Sequence, residues 1–337
     1  MIEKTHKKYI KYLIGSIILT IILLILALLI GRYRIGISSF FHAISGNRDF
    51  DLEYNIITKL RLPRTLLALF VGIGLSVSGL VYQEIFQNRL VSPDILGVSS
   101  GASVGVALGL LIGLPLLSIS FVGFIFGIGS MALTLLLARV FKNKNETILI
   151  MSGVIISGFM ASILSIIKTI ANTDTVLPNI TYWLLGSFEK TVIKDVFIVA
   201  PIIIVGAIIL FVMKWKINIV SLGYEEATTK GINYKRYRIA IILIATLLTA
   251  ASVAFAGVIG WVGLVIPHIV RMIIGRNTKY TIPLSITFGA SFMILSDILS
   301  RSIFQAEIPL SAVTGFIGVP IFILILVFSN NEVNRYD

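Results

Sequence analysis

Residues 239–275 are almost continuously apolar. As a single helix this run would extend about 55 Å at about 1.5 Å per residue, against a bilayer core of about 30 Å. The run therefore has to turn, most simply at Ala256-Gly257, and supply two helices. The rest of the chain shares its character. Of 337 residues, 57% are hydrophobic and 13% charged, and the mean hydropathy is +0.99. Soluble domains carry about 25% charged residues. A soluble protein this apolar would expose large sticky patches, so the composition implies an all-α, polytopic membrane protein.

Further apolar segments lie at about residues 13–30, 62–85, 97–113, 116–138, 147–170, 195–213, 281–303 and 312–328. With the folded-back pair they make ten helices. The first follows Lys4, Lys7, Lys8 and Lys11 and is longer than the apolar region of a cleaved signal peptide, about 7–15 residues, so it reads as an uncleaved span. The net charge of +12 then has a topological meaning. Lys and Arg collect in the segments this arrangement places inside, including Arg139, Lys142, Lys144 and the basic stretch 214–238. Both termini are expected in the cytoplasm, and nucleic acid is not an expected partner. Residues 1–337 read as one transmembrane domain.

Several chemistries are excluded. Without cysteine there can be no disulfide, zinc-thiolate or iron–sulfur site, and three scattered histidines make no metal cage. No phosphate loop of the form GxxxxGK[ST] occurs, so the chain does not hydrolyse ATP itself. No catalytic constellation is visible. Ionisable residues are scarce inside the apolar segments, Asp297 with Arg301 one turn on being the main exception. That scarcity argues against an ion-coupled secondary carrier, which needs such groups along its path. Energy for any transport would have to come from outside the chain.

Three stretches suggest a mechanism. Residues 222–231 contain Leu222, Gly223, Glu225, Glu226, Ala227 and Gly231, a pattern for a short helix stopped by glycine on the cytoplasmic face. It suits a docking element for a soluble partner, or is an ordinary solvated loop. Arg61 and Arg64 share a helix face beside Pro63, and Arg301 lies at the same outer level. They form a positive rim for acidic groups of an extracytoplasmic partner, or are snorkelling interfacial residues. The elbow from Gln83 through Asn88 and Arg89 to Pro93 offers polar, non-helical backbone beside a pathway, or is a tight turn. His268 reads as structural, and Trp183 and Trp261 as interfacial anchors.

The order and spacing of Arg61-Leu-Pro-Arg64, Ser78-Gly79, Asn88 to Pro93-Asp-Ile-Leu-Gly97-Val-Ser and Trp183-Leu-Leu-Gly186-Ser carry a resemblance. It continues in Leu222-Gly223 to Gly231, Gly263-Leu-Val-Ile-Pro267-His268-Ile-Val-Arg271, Asp297 with Arg301, and Glu307-Ile-Pro309 to Gly318-Val-Pro320. Over residues 55–328 the chain resembles the permease subunits of binding-protein-dependent ABC importers for iron–siderophore complexes, haem and vitamin B12, the FecCD-type permeases. The resemblance implies a bacterial cytoplasmic-membrane importer of an iron chelate, a ferric siderophore first, with haem or cobalamin as alternatives. It implies a second permease subunit, identical or related, and two cytoplasmic ATPase subunits that bind ATP and Mg. It also implies a lipid-anchored substrate-binding protein outside, with no cofactor or metal in this chain. By the same resemblance Arg61, Arg64 and Arg301 meet the binding protein. Leu222, Gly223, Glu225, Glu226, Ala227 and Gly231 couple to the ATPase. Gln83, Asn88, Arg89 and Pro93 belong to the inner gate, and the fifth and tenth helices flank the pathway. One departure is Arg89, where the family usually has proline.

Overall fold

The computed structural model describes residues 2–45, 50–141 and 146–333; Lys142, Lys144 and the C-terminal residues 334–337 lie outside them. The described residues form helices and connections, with no strand among them. In order these are α1 (Ile2–Leu29), α2 (Ile37–Ile44), α3 (Asp51–Asn55), α4 (Leu62–Ile85), α5 (Val98–Leu111), α6 (Leu116–Val140), α7 (Glu146–Ile170) and α8 (Val176–Leu184). There follow α9 (Ile193–Val212), α10 (Lys214–Val220), α11 (Tyr224–Thr229), α12 (Tyr234–Ala256), α13 (Val262–Ile274), α14 (Thr278–Ser302) and α15 (Leu310–Val333). Among the described residues seven helical rods are long and apolar enough to span a membrane, and α5, α13 and the apolar part of α15 are shorter. Together they are the ten expected helices, and α12 ends at Ala256 with Gly257 at φ 75°.

The axis of the fold is α4. A π-helical turn at Ile56–Arg61 joins α3 to α4, so Asp51–Ile85 is one continuous rod. Pro63 explains the widened turn: it has no N–H to donate, and its ring crowds the carbonyl one turn back. Four helices surround α4: α14, α12, α9 and α13. The closest approaches are glycine to backbone. A Cβ at Gly72 would lie 2.3 Å from the Gly289 carbonyl of α14, and one at Gly79 only 2.0 Å from the Gly263 carbonyl of α13. In a bilayer, where lipid is as apolar as leucine, such close contact is a main source of helix association. Polar side chains add ties. Tyr82 bonds Thr246 at 2.7 Å, Ser76 donates to the Ser285 carbonyl at 2.8 Å, and α1 meets α14 through Ser16–Thr287 and Thr20–Ser291. A second group packs α5 against α6, α7 and α8.

The connections hold more structure than the sequence signals. Residues 31–60, between the first two apolar segments, contain α2 and α3, which pack together around Ile35, Ala43 and Ile57. The stretch 214–238 contains α10, α11 and the start of α12, whose first turn is capped by Asn233 accepting from the Arg236 N–H at 3.1 Å. Trp261, expected as an interfacial anchor, instead sits at φ 72° against α15, where a Cβ at Gly318 would come within 2.9 Å of its own Cβ. His268 is structural as expected: Nδ1 lies 3.0 Å from the Leu264 carbonyl and the ring stands edge-on to Phe322.

Candidate translocation and coupling site

At one end of α4, the three arginines expected to form an open rim lie inside the protein. Arg61, Arg64 and Arg301 are 5%, 7% and 6% exposed. Arg64 Nε donates to Asp297 at 2.5 Å and its Nη1 to Glu307 at 2.6 Å. Arg301 Nε stands 3.2 Å from the other Asp297 oxygen. Asp297 is fully buried, so one carboxylate holds two guanidinium groups out of water. Arg61 and Arg301 turn further donors to the end of α1 and the residues after it. Arg61 Nη1 reaches the Leu28 and Leu29 carbonyls at 2.7 and 2.8 Å, its Nη2 donates to the Tyr33 carbonyl, and Arg301 Nη2 reaches Ala27 at 2.5 Å. The last carbonyls of a helix have no intrahelical partner and carry the negative end of its dipole. Two arginines therefore cap α1 from its neighbours. Nearby the Tyr33 hydroxyl donates to Glu53 at 2.8 Å, and that acceptor raises the phenol's pKa.

At the opposite end of α4 the elbow is tied to three helices. Gln83 is buried, and its amide donates to the Val91 carbonyl inside the elbow at 3.2 Å and to the Gly263 carbonyl of α13 at 3.1 Å. Its side-chain oxygen accepts from Arg271, which also pairs with Glu84 at 3.1 Å. Pro93 packs on Gly263, where a Cβ would stand 2.4 Å from its ring. The turn Pro93–Leu96 then leads through Gly97, at φ 80°, into α5. Ser130 and Thr134 of α6 donate to the Gly97 and Leu96 carbonyls at 2.8 and 3.0 Å. On α7, a Cβ at Gly153 would lie 2.0 Å from the Ile95 carbonyl. Asn88 closes the tip by accepting from the Leu90 N–H at 2.9 Å, and Arg89 is exposed there.

Beside this elbow lies α11. Gly223 precedes it at φ 104° and Gly231 follows at φ 74°, both in backbone that favours glycine. Between them Glu225 and Glu226 are exposed, while Ala227 is fully buried and holds the short helix to the body. A Cβ at Gly223 would meet the Gln87 side chain at 3.4 Å, so the segment lies beside the elbow. Gln87 itself has a positive φ of 48°. An exposed acidic helix, a glycine hinge on each side and an elbow joined to α6, α7 and α13 thus form one connected element.

Sequence reasoning brought the three arginines to one level and set Asp297 beside Arg301, but missed Asp297 and Glu307 as the partners of Arg64. Glu84 was not singled out, and the Arg64–Glu307 pair spans 243 positions with no local signal. Gln83 was read as a pathway group, whereas in the structure its amide joins the elbow to α13.

Residues 19–328 match the model of the FecCD transport family. The chain is 37% identical to the molybdate import system permease protein MolB of Haemophilus influenzae, covering 93% of this chain and 94% of the relative. It is also 37% identical to the Fe(3+)-citrate import system permease protein YfmD of Bacillus subtilis, over 82% of each chain. Other relatives are named for cobalamin and hemin transport. In three dimensions it is similar to a metal-chelate type ABC transporter solved in an inward-facing conformation, with a TM-score of 0.86, 36% identity, and coverage of 94% of this chain and 99% of the other.

Proposed function

This chain belongs to the FecCD transport family of ABC importer permeases, and we propose that its cargo is an iron chelate, a ferric siderophore first among them. The observation that supports this mode of action is the closeness of Gly223 to Gln87, which sets the exposed α11 beside the elbow. In this reading α11 and the elbow face the cytoplasm, the arginine cluster faces outward, and both termini lie on the cytoplasmic side of the bacterial cytoplasmic membrane. A second permease subunit completes the pathway beside α7 and α15. Two ATPase subunits hold ATP and Mg and receive α11. Their closure pulls Gly223, and the elbow passes that motion to α7 and α13, biasing one of two packed arrangements.

Relatives named for iron cargo support the chelate, and MolB supports a second reading, the molybdate oxyanion. Cells lacking this permease and complemented with it are expected to regain uptake of radiolabelled ferric siderophore. Restoration of molybdate uptake alone would overturn the iron reading. For coupling, reversing Glu225 and Glu226 to arginine is expected to lower uptake at least roughly tenfold, as loss of close charge complementarity does, while the assembled complex keeps basal ATP hydrolysis. Wild-type uptake by this variant would remove α11 from the coupling role.

Docking of the binding protein at Arg61, Arg64 and Arg301 takes a specific form in this reading. Because Arg64 is paired inside, an acidic lobe reaches it by displacing Glu307, whose side chain keeps 17% exposure while Asp297 has none. The variant Glu307→Gln weakens the internal competitor, so its affinity for the binding protein is expected to rise about tenfold, on the scale of one charge pair. Unchanged or lower affinity in a surface-immobilised binding assay would count against displacement.

A further inference from the structure

A cleft of about 590 Å³ opens where the C-terminal turn of α6, the first turns of α7 and the start of α12 converge. Its character is divided. The depth is apolar, walled by Leu149, Ile242 and the Tyr234 ring, which are 8%, 1% and 6% exposed. The polar part is cationic: Arg139, Lys235 and Arg238 line it, and no acidic residue does among the described residues. Beside it the end of α6 and the first turns of α12 leave Leu136, Val140 and Ile239 exposed by 56%, 77% and 42%. Apolar side chains facing outward beside a row of cations mark the level where acyl chains give way to headgroups.

Arg238 supplies an independent pointer to a ligand. Its Nε and Nη2 are removed from solvent and carry no hydrogen bond among the described residues. The guanidinium is held instead between aromatic rings, 5.6 Å from Tyr234 and 6.0 Å from Phe86. Two of its donors are thus left without a protein acceptor at the wall of the cleft. Arg139 and Lys235 are exposed, and no ion pair is formed by either among the described residues.

We propose that this cleft binds one anionic phospholipid, with the phosphate between Arg139, Lys235 and Arg238 and an acyl chain along Leu149 and Ile242. Charge complementarity selects the headgroup, and the apolar depth separates a lipid from a soluble phosphate. Tyr224, the first residue of α11, lines the same cleft and stands edge-on to Tyr234 at 5.7 Å. The bound lipid therefore touches the segment assigned above to the ATPase, and steadies it. That this lipid belongs to the inner leaflet follows from the orientation proposed above; the binding itself does not rest on it.

The test is native mass spectrometry of the full chain released from nanodiscs of phosphatidylglycerol or phosphatidylcholine, without ATPase, binding protein or cargo. One phosphatidylglycerol is expected to remain bound, with a preference of at least about tenfold over phosphatidylcholine, and the double variant Arg139→Gln, Lys235→Gln is expected to lose that preference. Both side chains are exposed, so the fold survives the change, and an unchanged thermal midpoint checks this. Ala138→Phe, which narrows the apolar part without altering charge, is expected to weaken the lipid as well. Equal retention of the two lipids, or a double variant that binds as the parent does, would overturn the proposal. Full displacement by millimolar inorganic phosphate, unaffected by Ala138→Phe, would also overturn it, in favour of a soluble-anion site. None of these readouts depends on which cargo is imported.

Discussion

Replacing Asp297 by alanine is expected to destabilise the protein by about 3–5 kcal/mol, the range for breaking a buried ion pair from one side. Asp297 is fully buried and lies 2.5 Å from Arg64 Nε and 3.2 Å from Arg301 Nε. Without it two guanidinium groups, with side chains 9% and 7% exposed, share Glu307 alone. A guanidinium keeps its charge at any accessible pH, so it cannot escape the cost by losing a proton. The effect should also spread. Arg301 and Arg61 cap the α1 carbonyls at Ala27, Leu28 and Leu29, and Arg301 is aimed there by its pairing with Asp297. The thermal midpoint of the purified variant should fall by roughly 10 °C, and amide exchange should rise first at the Arg61 end of α1. A loss below about 1 kcal/mol would show that water reaches the cluster and screens it as it screens surface pairs.

The contrast between these arginines and the ten helices shows what the sequence carries. A span is legible because hydrocarbon thickness sets a length, and any apolar run that exceeds it must break. Hence residues 239–275 divide at Gly257, whose φ of 75° is the conformation glycine adopts cheaply. The short helix α11 was legible for a similar reason: Gly223 and Gly231 bound it, and both have positive φ. Side-chain direction was not. The spacing of Arg61 and Arg64 puts them on one helix face but does not say what covers it, and the partner carboxylates come from α14 and the segment before α15. The positions suggested a rim, while the structure shows a buried cluster. Likewise α2 and α3 escaped notice because helices of one or two turns have weak intrinsic signals and are held by packing. The elbow was visible as a polar interruption. That Gln83 would also donate to Gly263 and accept from Arg271 could not be read from residues 180 or more positions away.

The largest steric effect is expected at Gly79, where α4 crosses α13. A Cβ there would lie 2.0 Å from the Gly263 carbonyl oxygen and 2.5 Å from its Cα. Both neighbours are backbone, so no rotamer change relieves the clash, and the helices must part. They have little freedom to do so. Seven residues along, a Cβ at Gly72 would already stand 2.3 Å from the Gly289 carbonyl, so α4 is pinned between α13 and α14 and cannot tilt from one contact without driving into the other. Gly263 also carries Pro93 of the elbow, so a shift of α13 dislodges that turn as well. Overpacking in a closely packed core costs about 1–3 kcal/mol and sometimes more. With backbone on both sides Gly79→Val is expected at the top of that range or above, and Gly79→Ala within it. Gly129→Ala is the matched control: Gly129 is helical too, but nothing lies within 4 Å of the added carbon, so it should be neutral or slightly stabilising, as alanine is over glycine in a helix. Thermal unfolding of the three purified variants separates steric from propensity effects. Equal midpoints for Gly79→Val and Gly129→Ala would mean that α4 and α13 do not meet at this crossing. If they do meet, uptake by the milder Gly79→Ala variant should fall further than its stability, because the same crossing carries the elbow through which the proposed coupling route runs.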